Sequence, residues 1–209
     1  MTKVPAVYED GKLTFYRSSK TLEEFVAVDV NDMDCISAEL VGNVENQNLH
    51  SLSGYELVIL SHPDFIPEAK RLAEIHEMHD GINAVVVTPE QIYNEYSSGT
   101  PDATAIRLFM RQMYERNGKS DTYLLLMGDG SFDNRAILRS ASTTINNFIL
   151  TYQGGSSYDE SATFTSDDYY GMLSPTAFQS GKVCNGNIDI GVGRLPVTTL
   201  EEAKVMVDK

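Results

Sequence analysis

Tyr123-Leu-Leu-Leu-Met-Gly-Asp-Gly-Ser-Phe-Asp-Asn-Arg135 is the stretch on which the reading of this chain turns. Residues 123–127 form a short, unbroken apolar run. That is the pattern of a strand buried on both faces of a parallel sheet. The run stops at Gly128-Asp129-Gly130-Ser131. Two glycines around an acid let the backbone turn sharply and place Asp129 at the carboxyl end of the strand. In open α/β sheets that edge is where ligands and reacting groups sit. An ordinary strand-to-loop turn uses the same residue types, so this stretch alone leaves both readings open.

A strand-and-helix rhythm precedes it. Residues 56–61 predict a buried strand. Residues 64–78 predict a helix, with Phe65, Ala69, Leu72, Ala73, Ile75 and His76 spaced near 3.6 and Gly81 as its stop. Residues 83–88 predict the next strand. Thr88-Pro89-Glu90-Gln91 supplies an N-cap and a proline at the first helical position of a short helix ending near Tyr96. Thr100-Pro101-Asp102-Ala103-Thr104 predicts a longer helix opened in the same way, with Ile106, Phe109, Met110, Met113 and Tyr114 on its apolar stripe and Asn117-Gly118 at its end. Strand, helix and strand at this spacing imply parallel strands joined by right-handed crossovers. The fold class is α/β.

The flanks are less regular. Glu9-Asp10-Gly11-Lys12 predicts a hairpin between 4–8 and 13–17, because Asp-Gly is a strong turn signal. A short strand is expected at 25–30, then a polar, irregular stretch over 31–54. After Arg135 a strand is expected at 147–151. Another is expected at 187–194, where apolar residues alternate. Thr199-Leu-Glu-Glu202 reads as a capping box. The helix it opens carries Ala203, Met206 and Val207 and runs to Lys209 with no stop signal. That predicts the front portion of a longer protein, the alternative being a terminal helix docked on the sheet.

Composition narrows the function classes. The 209 residues carry 30 acidic and 16 basic side chains, a net charge of −14. An acidic surface repels nucleic-acid phosphates and anionic lipid, so neither is an expected partner. No stretch approaches the roughly 20 apolar residues of a membrane span, and the first residues lack an apolar signal core. This fits a cytoplasmic protein or a piece of an exported one. Cys35 and Cys184 make no CxxC pattern and no disulfide framework. His76 and His79 are three apart on a predicted helix without the HExxH arrangement, so they read as solvated.

Candidate chemistry gathers at strand ends. Ser61-His62-Pro63 follows the first buried strand, which puts His62 near the carboxyl edge, as a reacting group or as a loop histidine packed beside Pro63. Gly128-Asp-Gly-Ser lacks the lysine of a phosphate loop. Asp129, Asp133, Asp167 and Asp168 are loop acids that could meet at one edge and bind Ca²⁺ through oxygen, or simply be solvated. Arg194, just past a strand, could form a bidentate pair with one of them and tie two loops together.

Several segments, in order, resemble the gingipain-like cysteine peptidases (peptidase family C25), most closely the sortase of the type IX secretion system of Bacteroidetes. They are Val44-Glu-Asn-Gln-Asn-Leu-His50, Leu57-Val-Ile-Leu-Ser-His-Pro-Asp-Phe65, Val87-Thr-Pro-Glu-Gln-Ile-Tyr-Asn-Glu95 and Ser98-Gly-Thr-Pro-Asp-Ala-Thr104. The stretch 123–135, Ser166-Asp-Asp-Tyr-Tyr-Gly171 and Asp189-Ile-Gly-Val-Gly-Arg-Leu-Pro196 complete the set. The resemblance implies a caspase-like, three-layer α/β sandwich of two similar halves, this chain being the first. Residues 1–22 are then a hairpin lead-in and 23–209 the first subdomain.

The family's chemistry is thiolate attack on a peptide carbonyl with histidine as proton shuttle. Its histidine stands in a Gly-His-Gly setting and its cysteine follows the next strand. Neither motif occurs here. Cys35, Cys184, His50 and His62 match neither position, so no residue receives a catalytic role. Ser131 joins His62, the four acids and Arg194 as edge positions facing the other half. The implied partners are that catalytic half and secreted cargo. The implied location is the cell surface or outer membrane, and no cofactor is required. A stand-alone binding or scaffold module of the same fold is the competing class.

Overall fold

Asp10 and Gly11 both take positive φ, 50° and 76°, in the computed structural model, and this closes the hairpin the Asp-Gly signal predicts. Strand β1 (Val7–Glu9) pairs antiparallel with β2 (Lys12–Thr14). The strands are shorter than expected. All six of their residues are exposed, and a two-stranded ribbon without a buried face gains little from lengthening. The structure describes residues 3–18, 20–27, 29, 40, 42–135, 148–154, 164–174 and 186–209.

The chain divides into two compact units, Met1–Glu45 and Asn46–Lys209. In the first, the rings of Phe15 and Phe25 lie 4.8 Å apart and Arg17 Nε donates to Glu23 at 2.6 Å. The described residues of 25–30 form no strand.

The second unit is built on a four-stranded parallel sheet. In chain order its elements are β3 (Leu57–Ser61), α1 (Ile66–His79), β4 (Ala84–Val87), α2 (Pro89–Tyr96), α3 (Ala103–Arg116) and β5 (Tyr123–Met127). A small antiparallel pair follows, β6 (Tyr152–Gln153) and β7 (Thr165–Ser166), and then β8 (Gly191–Leu195) and α4 (Leu200–Val207). The sheet order is β4-β3-β5-β8. Register pairs Leu57 with Ala84 and Tyr123, and Tyr123 with Gly191.

Strand alternation separates two apolar layers. Leu57, Ile59 and Met127 face α1 and α4, where Phe65, Ala69, Ala73, Ala203 and Val207 are buried. Val58, Leu60, Leu124 and Leu126 face α2 and α3, against Ile92, Ile106, Phe109, Met110 and Met113. Helices on both faces make the three-layer sandwich, and right-handed crossovers running in opposite directions require this arrangement. Tyr123 departs from the expected two-sided burial. It is 42% exposed, because the amino end of β5 reaches the rim of the sheet.

Helix starts follow the caps with two differences. At α2 the box is complete: Thr88 Oγ1 accepts from Gln91 N at 3.3 Å and Gln91 Oε1 accepts from Thr88 N at 2.9 Å. At α3 the cap is Asp102, not Thr100. Asp102 Oδ1 accepts from Thr104 N at 2.7 Å, and Pro101 precedes the cap. Thr100 closes the preceding loop, its N–H donating to the Ser97 carbonyl. Asp102→Ala is therefore expected to lower stability by about 1 kcal/mol, and Thr100→Ala by less than about 0.5 kcal/mol. Urea unfolding of the two variants checks this, and equal losses would contradict it. At α4, Thr199 Oγ1 accepts from Glu202 N, but Glu202 Oε2 reaches back to Thr198 instead of Thr199. The box is displaced by one residue.

Two predicted strands move. Residues 148–151 form no ladder, because bonds described below occupy their backbone, and Asn147 lies outside the described residues. β8 starts at Gly191 and not at 187. Asp189 turns away, its N–H on the Gly171 carbonyl and its Oδ2 accepting from Leu173 N.

Candidate functional site

The carboxyl edge of the sheet is where the sequence placed its candidates, and a backbone weave closes it. His62 N donates to the Met127 carbonyl, Gly128 N to the Leu195 carbonyl and Asp129 N to the Val197 carbonyl. The exits of β3, β5 and β8 are thus tied side by side. The Asp129 carbonyl in turn accepts from both Phe148 N and Ile149 N, which pins the returning segment onto the Gly128 turn.

Arg194 is the centre of this edge. Its side chain is 12% exposed and its five N–H donors are all used. Nε and Nη2 make a bidentate pair with Asp167, both at 2.7 Å. Nη1 donates to the Gly128 carbonyl at 2.8 Å and the Ile149 carbonyl at 3.2 Å. Nη2 also reaches the Leu150 carbonyl at 3.3 Å. One planar fork therefore joins β8, the Gly128 turn, the 149–150 segment and the loop before Tyr170. The Tyr170 hydroxyl donates to the same Leu150 carbonyl. Burial pushes that phenol far above its usual range, so it remains a donor.

The other acids do not converge with Asp167. Asp129 Oδ1 accepts from Gly130 N at 2.9 Å, a local turn bond. Asp133 is buried, and its N–H donates to Ser131 Oγ at 3.0 Å. Asp168 is exposed and opens a short 3-10 turn, Asp168–Tyr170. Among the described residues, no three His, Cys, Asp or Glu side chains are placed to hold a metal ion. Asp167 has both oxygens on Arg194, and its charge is already matched there.

His62 is a packing and capping residue. It precedes a 3-10 turn, Pro63–Phe65, which replaces the first turn of the helix expected from residue 64. Its Nδ1 accepts from Asp64 N at 3.3 Å. Its ring meets Phe148 edge-on at 4.7 Å between centroids and lies 5.7 Å from Phe65. Ser61 Oγ donates to the His62 carbonyl and not to the imidazole. Ser131 Oγ is held by the Asp133 amide. Neither serine is paired with a base, so this edge carries no activated nucleophile among the described residues. Cys35 and Cys184 lie outside the described residues.

The remaining histidines sit elsewhere. His76 is half-buried, with Nδ1 2.6 Å from Asp80 Oδ2, and is therefore not simply solvated. His79 is exposed. His50 contacts Gln112 Oε1 through Nδ1 at 2.9 Å and packs on Tyr96. Beside it, the Glu95 carboxylate accepts from Leu49 N, His50 N and Gln47 Nε2. Burial acts to raise its pKa, but these hydrogen bonds together outweigh it and hold the carboxyl below its ordinary range. A depressed folded pKa stabilises above the unfolded pKa and is lost as pH falls through the folded one. Glu95→Gln is thus expected to lower the melting temperature at pH 7, with the gap closing under strongly acidic conditions. A gap unchanged from pH 7 to pH 3 would contradict this.

Sequence reasoning missed the acceptors. The carbonyls of Gly128, Ile149 and Leu150 carry no side-chain signature. Nor did it find Asn134, whose Nδ2 donates to the Thr151 carbonyl at 2.8 Å, or the packing of Phe148 on His62.

Residues 50–209 match the model of Peptidase family C25. The chain belongs to peptidase family C25. Among solved structures it is similar to the crystal structure of dimeric latent PorU from Porphyromonas gingivalis, with 36% identity and a TM-score of 0.70. The match covers 80% of this chain and 16% of the PorU chain. The C25 chain thus spans a small part of that relative's length. No curated protein sequence matches it. The α/β caspase-like sandwich with a mostly parallel sheet is the fold observed, and the resemblance read from the ordered segments is the family found.

Proposed function

We propose that this chain is the non-catalytic first subdomain of a gingipain-like cysteine endopeptidase of the PorU kind. The full enzyme would process the C-terminal signals of type IX secretion cargo. The observation that carries the reading is the state of the carboxyl edge. In a family that cleaves with cysteine and histidine, this edge spends His62, Ser131, Asp167 and Arg194 on holding its own loops. Asp129 and Asp133 support those turns, and Asp168 opens the next one. The edge is built as a rigid brace, and the dyad belongs to a second subdomain packed against it.

Membership of peptidase family C25 supports the peptidase, and similarity to part of PorU supports the secretion-system role. On this reading the partners are the catalytic subdomain and, through it, exported cargo. The protein works outside the cell or at its surface. Among the described residues, no helix is long and apolar enough to cross a membrane. The chemistry requires no cofactor, since a thiolate and an imidazole suffice for acyl transfer.

The test is direct. The purified 209-residue chain is expected to cleave none of a panel of fluorogenic peptides above the buffer rate. Cleavage that is lost on Cys35→Ala or Cys184→Ala would overturn the proposal.

A further inference from the structure

β8 is an edge of the sheet, and the alternation of a parallel ladder decides which of its backbone groups are used. The Leu195 carbonyl accepts from Gly128 N, so Leu195 and Gly193 turn their N–H and C=O groups toward β5. Val192 and Arg194 turn theirs outward, and among the described residues no backbone group beyond the edge bonds to them. Idle edges are commonly blunted by lysine, proline or a bulge. Residues 191–195 contain neither lysine nor proline, and their register with β5 is unbroken. The Arg194 side chain is committed to Asp167 and to loop carbonyls, so it does not guard the edge.

Beside this edge, over β5, lies a depression of about 400 Å³ with Leu57, Ile82, Tyr123 and Leu125 in its lining and His76 at its side. Gly191 and Gly193 share the face of Tyr123 and Leu125, their partners in register, and lie between the depression and the edge. Both glycines are exposed. The Tyr123 ring rests on Gly191, where an added Cβ would meet Cδ1 at 2.9 Å. At Gly193 an added Cβ would stand 3.7 Å from Leu125 Cδ1, an ordinary contact, so core packing does not demand a glycine there. Gly193 is thus a gap through which a side chain from outside the edge reaches the depression. β4, the opposite edge, carries a side chain at every position from Ala84 to Val87 and has no such gap.

We infer that β8 receives an extended polypeptide as a further strand, with one large apolar side chain laid across Gly193 into the depression. A polypeptide is the occupant because a backbone is what matches N–H and C=O groups repeating along an edge. Side chains of an added strand return to one face at every second residue, so one of them falls opposite Gly193. The net charge of −14 favours a neutral or basic segment over an acidic one. Polypeptide is also the substrate class of the peptidase proposed above, so the inference rests on the peptidase part of that reading and not on its non-catalytic part.

Amide hydrogen exchange followed by NMR tests this in the 209-residue chain, with the capped peptide acetyl-Lys-Thr-Thr-Phe-Thr-Thr-Lys-amide as probe. In the free chain Val192 and Arg194 N–H should exchange faster than those of Gly193 and Leu195. Millimolar peptide should slow Val192 and Arg194 several-fold and leave Gly193 and Leu195 unchanged. The peptide with alanine in place of phenylalanine should act several-fold more weakly, and one N-methylated at the phenylalanine and both neighbouring threonines should not act at all. Gly193→Leu, which closes the gap, should abolish the advantage of phenylalanine over alanine. If that variant fails to fold, the N-methylated and alanine peptides still decide. Val192 and Arg194 exchanging as slowly as Gly193 and Leu195 in the free chain would overturn the inference, since the edge would already be covered. Equal effects of the phenylalanine, alanine and N-methylated peptides would also overturn it. So would slowing that grows with protein concentration in the absence of peptide, which assigns the edge to a second copy. Protection of Val192 and Arg194 together with cleavage of the probe by this chain would defeat the non-catalytic reading alone, and no protection with no cleavage would defeat this inference alone.

Discussion

Arg194→Ala is expected to cost about 3–5 kcal/mol, because it leaves the partner of a buried ion pair uncompensated. For a domain of this size that lowers the melting temperature by roughly 6–20 °C. The loss is not only electrostatic. Asp167 keeps its charge with no counterion, and the carbonyls of Gly128, Ile149 and Leu150 each lose a donor. Arg194→Lys should recover only a fraction, since three donors on a point charge cannot reproduce a planar fork that serves four acceptor groups. The Asp167→Ala, Arg194→Ala double variant should lose less than the sum of the singles, as groups in one network are not additive. Thermal and urea unfolding of the parent, the two Arg194 variants, Asp167→Ala and the double variant measures this. A melting temperature within 1–2 °C of the parent for Arg194→Ala would mean that the edge is held by backbone bonds alone.

Gly128→Ala is the second large effect. Gly128 has φ of +145°, a conformation that costs an L-residue about 1–3 kcal/mol. An added methyl would also stand 2.9 Å from Phe148 Cβ and 3.1 Å from Ile149 Cγ1, and overpacking of that kind costs about 1–3 kcal/mol more. Gly193→Ala is the contrasting control, with only an ordinary contact to Leu125 Cδ1 at 3.7 Å, ordinary φ and an expected change within about 0.5 kcal/mol. Comparison of the two variants by urea midpoint separates a general dislike of alanine in place of glycine from the specific demand of this turn. Equal midpoints would contradict the close approach of Phe148 to the turn.

Much of this architecture was legible because strands and helices carry their own periodicity. Leu57–Ser61 and Tyr123–Met127 read as buried strands since both layers of the sandwich need apolar side chains from them. The Thr88 box and the Asp10-Gly11 turn depend only on near neighbours in sequence, so residue types alone specify them. The cap of α3 went to Asp102 where Thr100 was expected, because two capping residues flank Pro101 and Thr100 is held in the preceding loop by Ser97. The edge was half legible. The chance of an Arg194 pair with a loop acid could be read from position. Its choice of Asp167 over Asp129, Asp133 or Asp168 depends on where residues 149 and 150 return in space, and no local pattern encodes that. From sequence His62 could be either a reacting group or a loop histidine beside Pro63, for the same reason. Its commitment to capping and to the ring of Phe148 arises from a contact 86 positions away in sequence.

The proposed function makes this chain the brace of a cysteine peptidase and places the reacting residues outside these 209. Labelling the protein from the whole reading frame with a peptidyl chloromethyl ketone, then locating the alkylated residue by mass spectrometry, tests this most directly. The account predicts one modified cysteine outside these 209 residues, with Cys35 and Cys184 untouched at inhibitory doses. Activity-dependent alkylation of Cys35 or Cys184 would contradict it.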